Sequence, residues 1–126
     1  MQPIKFTARA LRRIALTACL DKTRPHLCAL RFCPSDVLAT DGTILVRVPL
    51  PHDPERDFVL PSVPTVEALR TLRRDVTVTL TRCAGETRLS APLGYDFAIS
   101  DDADISVARY PSVEVVIDTT QKVKTI

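Results

Sequence analysis

From residue 8 to residue 20 apolar side chains recur at helical spacing. Leu11, Ile14, Ala15 and Ala18 share one face, and Arg9, Arg12, Arg13 and Thr17 fall on the other. The pattern predicts an amphipathic helix with a cationic outer face, with Thr7 as its N-cap and a short strand over Lys5 to Thr7 before it. Pro25 stops any continuation, because the residue before a proline is pushed out of the helical region, so Arg24 sits at the helix exit.

After that stop, His26 to Phe32 reads as a strand. Asp36 to Thr40 and Thr43 to Val48 read as a hairpin around Asp41-Gly42, a strong two-residue turn signal. Such a turn sets Ala39 opposite Ile44, Val37 opposite Val46 and Asp36 opposite Arg47. The first two pairs then line the core, and the third is an opposite-charge pair on the other face, beside Leu38 and Leu45.

A polar, proline-rich connection, Pro49 to Asp57, follows as a crossover loop. The order of elements then repeats in weaker form. Phe58 to Leu60 is a short strand, Ser62 and Pro64 open a second helix with Ala68, Leu69 and Leu72 inward, and Arg70, Arg73 and Arg74 lie mostly off that face. Val76 to Thr81 alternates apolar residues with threonines, Gly85 turns it into a strand through Leu89, and Tyr95, Phe97 and Ile99 mark another. Ile105 to Ala108 and Val113 to Ile117 read as closing strands, with 119–126 as a flexible tail.

The expectation is an α+β fold of two βαβββ halves, about 4–50 and 57–118, in one domain over 1–118, with both helices on one side of antiparallel sheets. A chain of 126 residues fits one such domain and not two independent ones. No apolar run approaches the roughly 20 residues of a membrane helix, and the N-terminus lacks the apolar core of a secretory signal. A cytoplasmic protein without a membrane partner is expected.

Net charge is only +2, but it is unevenly spread. Residues 1–31 carry seven basic residues against Asp21 alone, and residues 94–118 carry six acidic residues against Arg109 alone. Catalytic chemistry is sparse. His26 and His52 have no nucleophile nearby in sequence, no Gly-rich phosphate loop exists, and Asp101, Asp102 and Asp104 lack the spacing and glycine of a calcium loop. A metal site from His26, Cys28, Cys33 and His52 is disfavoured, because Cys28 and Cys33 are an odd number of residues apart and point to opposite faces of an extended strand. The four cysteines form no framework and read as reduced thiols. The chain reads as a non-enzyme that needs no cofactor.

Four short motifs occur in order: Thr23-Arg24-Pro25 at the first helix exit, Ala39-Thr40-Asp41-Gly42 at the hairpin, Leu60-Pro61 before the second helix, and Arg109-Tyr110-Pro111 near the domain end. With the repeated element order, they resemble one domain of the bacterial DNA sliding clamp. Two positions depart from that family's pattern: Thr43-Ile44 stands where a polar pair usually follows the turn, and Val113 replaces an aromatic after the last proline.

The resemblance implies a sequence-independent, DNA-associated processivity or scaffold protein whose helices present cations to the phosphates of duplex DNA. The residues assigned to that contact are Arg9, Arg12, Arg13, Lys22, Arg24, Arg70, Arg73 and Arg74. The clamp looks like three domains per chain and two chains per ring, so these 126 residues would encircle DNA only as a head-to-tail homo-oligomer. A DNA polymerase or other replication protein is the implied protein partner. The alternative is a monomeric clamp-fold adaptor or decoy that binds replication proteins without encircling DNA.

Overall fold

The computed structural model describes residues 1–18, 27–103, 105, 107 and 110, and the backbone of 122–125. The chain runs β1 (Ile4–Thr7), α1 (Ala8–Thr17), β2 (Ala29–Phe32), β3 (Asp36–Thr40), β4 (Ile44–Pro49), β5 (Phe58–Pro61), α2 (Ser62–Leu69), β6 (Thr77–Cys83), β7 (Glu86–Ala91), β8 (Tyr95–Ser100) and β9 (Lys122–Thr125). The expected βαβββ unit is therefore present twice, as β1-α1-β2-β3-β4 and β5-α2-β6-β7-β8.

The two units exchange their first strands. One sheet has the order β1-β6-β7-β8, and the other β5-β2-β3-β4-β9. Ile4 and Phe6 of β1 pair with Leu80 and Val78 of β6, while Leu30 and Phe32 of β2 pair with Leu60 and Phe58 of β5. Neither unit can bury its own apolar face without the other, which makes the whole one cooperative core.

At the centre Phe32 stacks on Phe58, with ring centroids 4.6 Å apart and planes 3° from parallel, and meets the edge of Phe6 at 6.4 Å. Both helices lie against this core. Ala8, Leu11, Ile14 and Ala15 of α1 and Ala68 and Leu69 of α2 are buried with Leu30, Val37, Ala39, Leu60, Val78, Leu80, Leu89 and Ile99. Each fully buried Leu or Phe contributes about 1.5–3 kcal/mol of transfer free energy, so this cluster carries most of the fold's stability. Among the described residues, no helix is long and apolar enough to cross a membrane.

The 3–4 hairpin forms where the sequence places it, but its register differs by two residues. Thr40 pairs with Leu45, Ala39 with Val46, Leu38 with Arg47 and Val37 with Val48. The cause is Asp41: its Oδ1 accepts the N–H groups of Thr43 at 2.8 Å and Ile44 at 2.9 Å, closing a longer loop in which Gly42 takes φ 94°. A shift of two preserves which side chains face inward. Val37 and Ala39 are buried as expected, and Asp36 reaches Arg47 diagonally at 3.3 Å.

Three further expectations need correction. Helix α2 ends at Leu69, so Arg70 is its C-cap and Arg73 and Arg74 lie in the tight turns leading to β6, not on a helical face. The segment read as a flexible tail contributes β9, which runs parallel to β4 with Ile44 opposite Lys122 and Arg47 opposite Thr125. Ile105 and Val107 lie in turns and not in a strand, with the N–H of Ile105 donating to Asp102 O at 3.0 Å. The crossover loop between β4 and β5 is present and is anchored by Arg56. Arg56 is 3% exposed and donates to the carbonyls of Cys33, Pro34 and Pro51 at 3.3, 3.0 and 3.0 Å. The Val113 to Ile117 segment lies outside the described residues.

Candidate nucleic-acid interface

Helix α1 starts abruptly because Thr7 is extended (φ −70°, ψ 151°) and its Oγ1 accepts the Ala10 N–H at 3.1 Å. That leaves further first-turn donors without intrahelical partners. The turn after α2 supplies acceptors for two of them: Ala8 N–H donates to Val76 O at 2.8 Å and Arg9 N–H to Arg74 O at 3.1 Å. These bonds place the start of α1 beside the basic turn 70–76. Two arginine groups more than 50 residues apart in sequence thereby belong to one surface.

On that surface Arg9, Arg12, Arg13 and Arg74 are exposed. None of the four makes an ion pair among the described residues. Arg70 and Arg73 are also exposed but sit beside acids, Glu67 at 3.1 Å and Asp75 at 3.7 Å. Exposed pairs of this kind are worth about 0–1 kcal/mol, so a phosphate can displace either carboxylate. Lys22 and Arg24 lie outside the described residues.

Among the described residues, arginines elsewhere are engaged. Arg82 meets Asp101 through two hydrogen bonds, at 2.7 and 3.0 Å, with its guanidinium 4.8 Å from the Phe58 ring centroid. Arg88 bonds Asp96 at 2.7 Å, Arg31 bonds Asp57 at 2.6 Å, and Arg47 lies against Asp36. Acids from both halves of the chain thus neutralise sheet arginines, Asp36 and Asp57 as well as Asp96 and Asp101, and the small net charge conceals an unbalanced helix face. Asp101 thus has an ion-pair role in the fold.

Sequence reasoning missed Leu16, which is 48% exposed among these cations, three residues after Arg13 and four after Arg12. A leucine on the polar side of a helical wheel was the available signal. It also missed the union of Arg9 with Arg74, for which no local signal exists.

Elsewhere the fold is tied at several points. The Tyr95 hydroxyl donates to Ala68 O, joining β8 to α2, and burial pushes its phenol above the ordinary range. Asp53 accepts from the N–H of Gln2 at 2.9 Å and of Glu55 at 3.0 Å, and these bonds hold its carboxyl below the usual range. Burial raises the thiol of Cys33 and the phenol of Tyr110, which keeps both protonated at neutral pH.

No protein-family model and no curated protein matches the chain. Solved structures do. DNA polymerase III subunit beta from Borrelia burgdorferi superposes with a TM-score of 0.68 at 15% identity, over 91% of this chain and 32% of that one. The subunit beta from Pseudomonas aeruginosa gives 0.66 at 17% identity, over 89% and 32%. The fold is that of one sliding-clamp domain. The beta subunit from Thermotoga maritima agrees, with a TM-score of 0.57 at 18% identity over 89% and 31% of the two chains. The chain spans about a third of the length of these clamps. In this chain the backbone bond from Arg9 to Arg74 brings α1 and the turn after α2 together, so Arg9, Arg12, Arg13 and Arg74 lie on one surface.

Proposed function

We propose that this protein is a sliding-clamp-like, DNA-associated processivity or scaffold factor that holds duplex DNA through its backbone, without sequence preference and without catalysis. The observation that carries the reading is the set Arg9, Arg12, Arg13 and Arg74, exposed, free of carboxylates among the described residues and joined by the Arg9–Arg74 backbone bond. Arg70 and Arg73, and Lys22 and Arg24 at the helix exit, extend the contact. Arginine forks match phosphate geometry, and the exposed position lets them exchange counterions for a polyanion.

Encirclement requires further domains. Head-to-tail association of copies of the chain would supply them, and a DNA polymerase or another replication protein would be the partner held at the DNA. The test is affinity for a mixed-sequence duplex as a function of salt. Affinity should fall steeply with salt and be indifferent to sequence; affinity unchanged by salt would sink the proposal. A second reading, a monomeric clamp-fold adaptor that captures replication proteins, draws support from β9, which covers one sheet edge within the chain. Arg9→Glu with Arg13→Glu separates the two, since only the DNA contact depends on those charges.

A further inference from the structure

Among the described residues the outer strands are β1 and β8 of one sheet and β5 and β9 of the other, with β9 lying beside β4, and these edges are not equivalent. Strands β1 and β5 are four residues long and run directly into α1 and α2. Strands β8 (Tyr95–Ser100) and β4 (Ile44–Pro49) are six residues long and lead into no helix. The edge of β8 has no neighbouring strand among the described residues, and Phe97 on it is 38% exposed. The edge of β4 is covered by β9, in the one parallel pairing among the described strands.

An unpaired edge of this length is a template for another strand, and natural sheets block such edges with short strands, lysines or a covering segment. The four residues of β9, Lys-Val-Lys-Thr, combine these devices: a short strand with two lysines. It covers only Ile44–Arg47, leaving Val48 and Pro49 of β4 beyond its register. Parallel pairing is slightly weaker per residue than antiparallel pairing, so β9 is among the more easily lifted strands of the sheet.

We propose that β9 is an assembly latch: it occupies the β4 edge within one copy, and when it lifts, the β8 edge of a second copy takes its place. This rests on the head-to-tail association proposed above and names what regulates it. With β9 seated the chain stays a monomer; with β9 displaced, β4 of one copy and β8 of the next are two edges of equal length that no described strand of their own copy covers.

The test compares the full chain with a variant lacking residues 122–126 and with the full-length Val123→Pro variant, which cannot complete the ladder. Sedimentation equilibrium should give both variants a self-association constant at least tenfold tighter than the parent, and Phe97→Asp, placed on β8, should reverse that gain. Hydrogen exchange on the full chain should show the amides of 122–125 opening faster than those of β3. Equal association of parent and both variants overturns the latch, as does exchange of 122–125 only through global unfolding. Tighter association that Phe97→Asp leaves intact overturns the choice of β8. Binding of duplex DNA by the full chain is measured beside these. If DNA binding fails while the variants still associate, the clamp-like function falls and the latch stands.

Discussion

Replacing Arg9 and Arg13 together by alanine tests the interface at the level of its charge. Both residues are exposed, and neither makes an ion pair among the described residues, so their removal leaves the packing of Leu11, Ile14 and Ala15 untouched. Each phosphate contact contributes about −0.9 to the slope of log affinity against log salt, so contacts from Arg9, Arg12, Arg13 and Arg74 give about −3.6. Through these four contacts a rise from about 50 to about 200 mM salt weakens binding about 150-fold. Without Arg9 and Arg13 their share of the slope falls to about −1.8 and their share of the salt step to about 12-fold, so the double variant should be less steep than the parent by about 1.8 whatever Arg70, Arg73, Lys22 and Arg24 add. Fluorescence anisotropy of a labelled mixed-sequence duplex across that range reads the slope directly. Arg88→Ala is the control, because Arg88 is held on the sheet by Asp96 and Glu86, and its slope should match the parent. An unchanged slope in the double variant, or an equal loss in the control, refutes the assignment of DNA contact to the helix face.

Three further predictions concern the frame. Phe32→Ala removes the ring between Phe6 and Phe58 and should cost about 3–5 kcal/mol in urea unfolding, and a loss under about 1 kcal/mol would mean the two sheets do not share one core. Thr7→Ala removes the cap on α1 and should cost about 1 kcal/mol, largely restored by Thr7→Ser; equal destabilisation by both would discount the cap. The carboxyl of Asp53 is held below its ordinary value, so its stabilisation is full above the unfolded-state value of about 3.9 and disappears as pH falls through the lower folded-state value. Stability curves of parent and Asp53→Asn should therefore converge in acid, and a gap that widens there contradicts the Gln2 and Glu55 hydrogen bonds.

Much of the architecture was legible in the sequence because it rests on local periodicity. The 3.6-residue recurrence of Leu11, Ile14 and Ala15 and the alternation through Val78 and Leu80 each report a single element against a single core, and Thr7 is read from its position alone. The hairpin marks the boundary of that legibility. Alternation fixed which faces turn inward, but it is blind to a shift of two residues, and the loop length depended on where the Asp41 carboxylate found its donors. Arg70, Arg73 and Arg74 failed as helical residues for a related reason: the spacing continued past Leu69, whereas the chain was turned toward β6 to reach the start of α1.

The candidate site divides in the same way. Which arginines exist, and that Arg9, Arg12 and Arg13 share a helical face, follows from the sequence alone. Which of them are free does not. Arg82 and Arg88 find Asp101 and Asp96 only once β6, β7 and β8 are aligned, and Arg56, in a loop that composition marks only as polar, is drawn into the interior by the carbonyls of Cys33, Pro34 and Pro51. The exchange of first strands between the two βαβββ units, the meeting of Arg9 with Arg74 and the parallel seat of β9 on β4 are likewise tertiary decisions. Periodicity reports what one element turns toward a core; it carries no information about which distant segment supplies the other side of a hydrogen bond, an ion pair or a sheet edge. The sequence by itself determined the elements, their inward faces and the identity of the cations, and the packed fold selected which of those cations remain available to a partner.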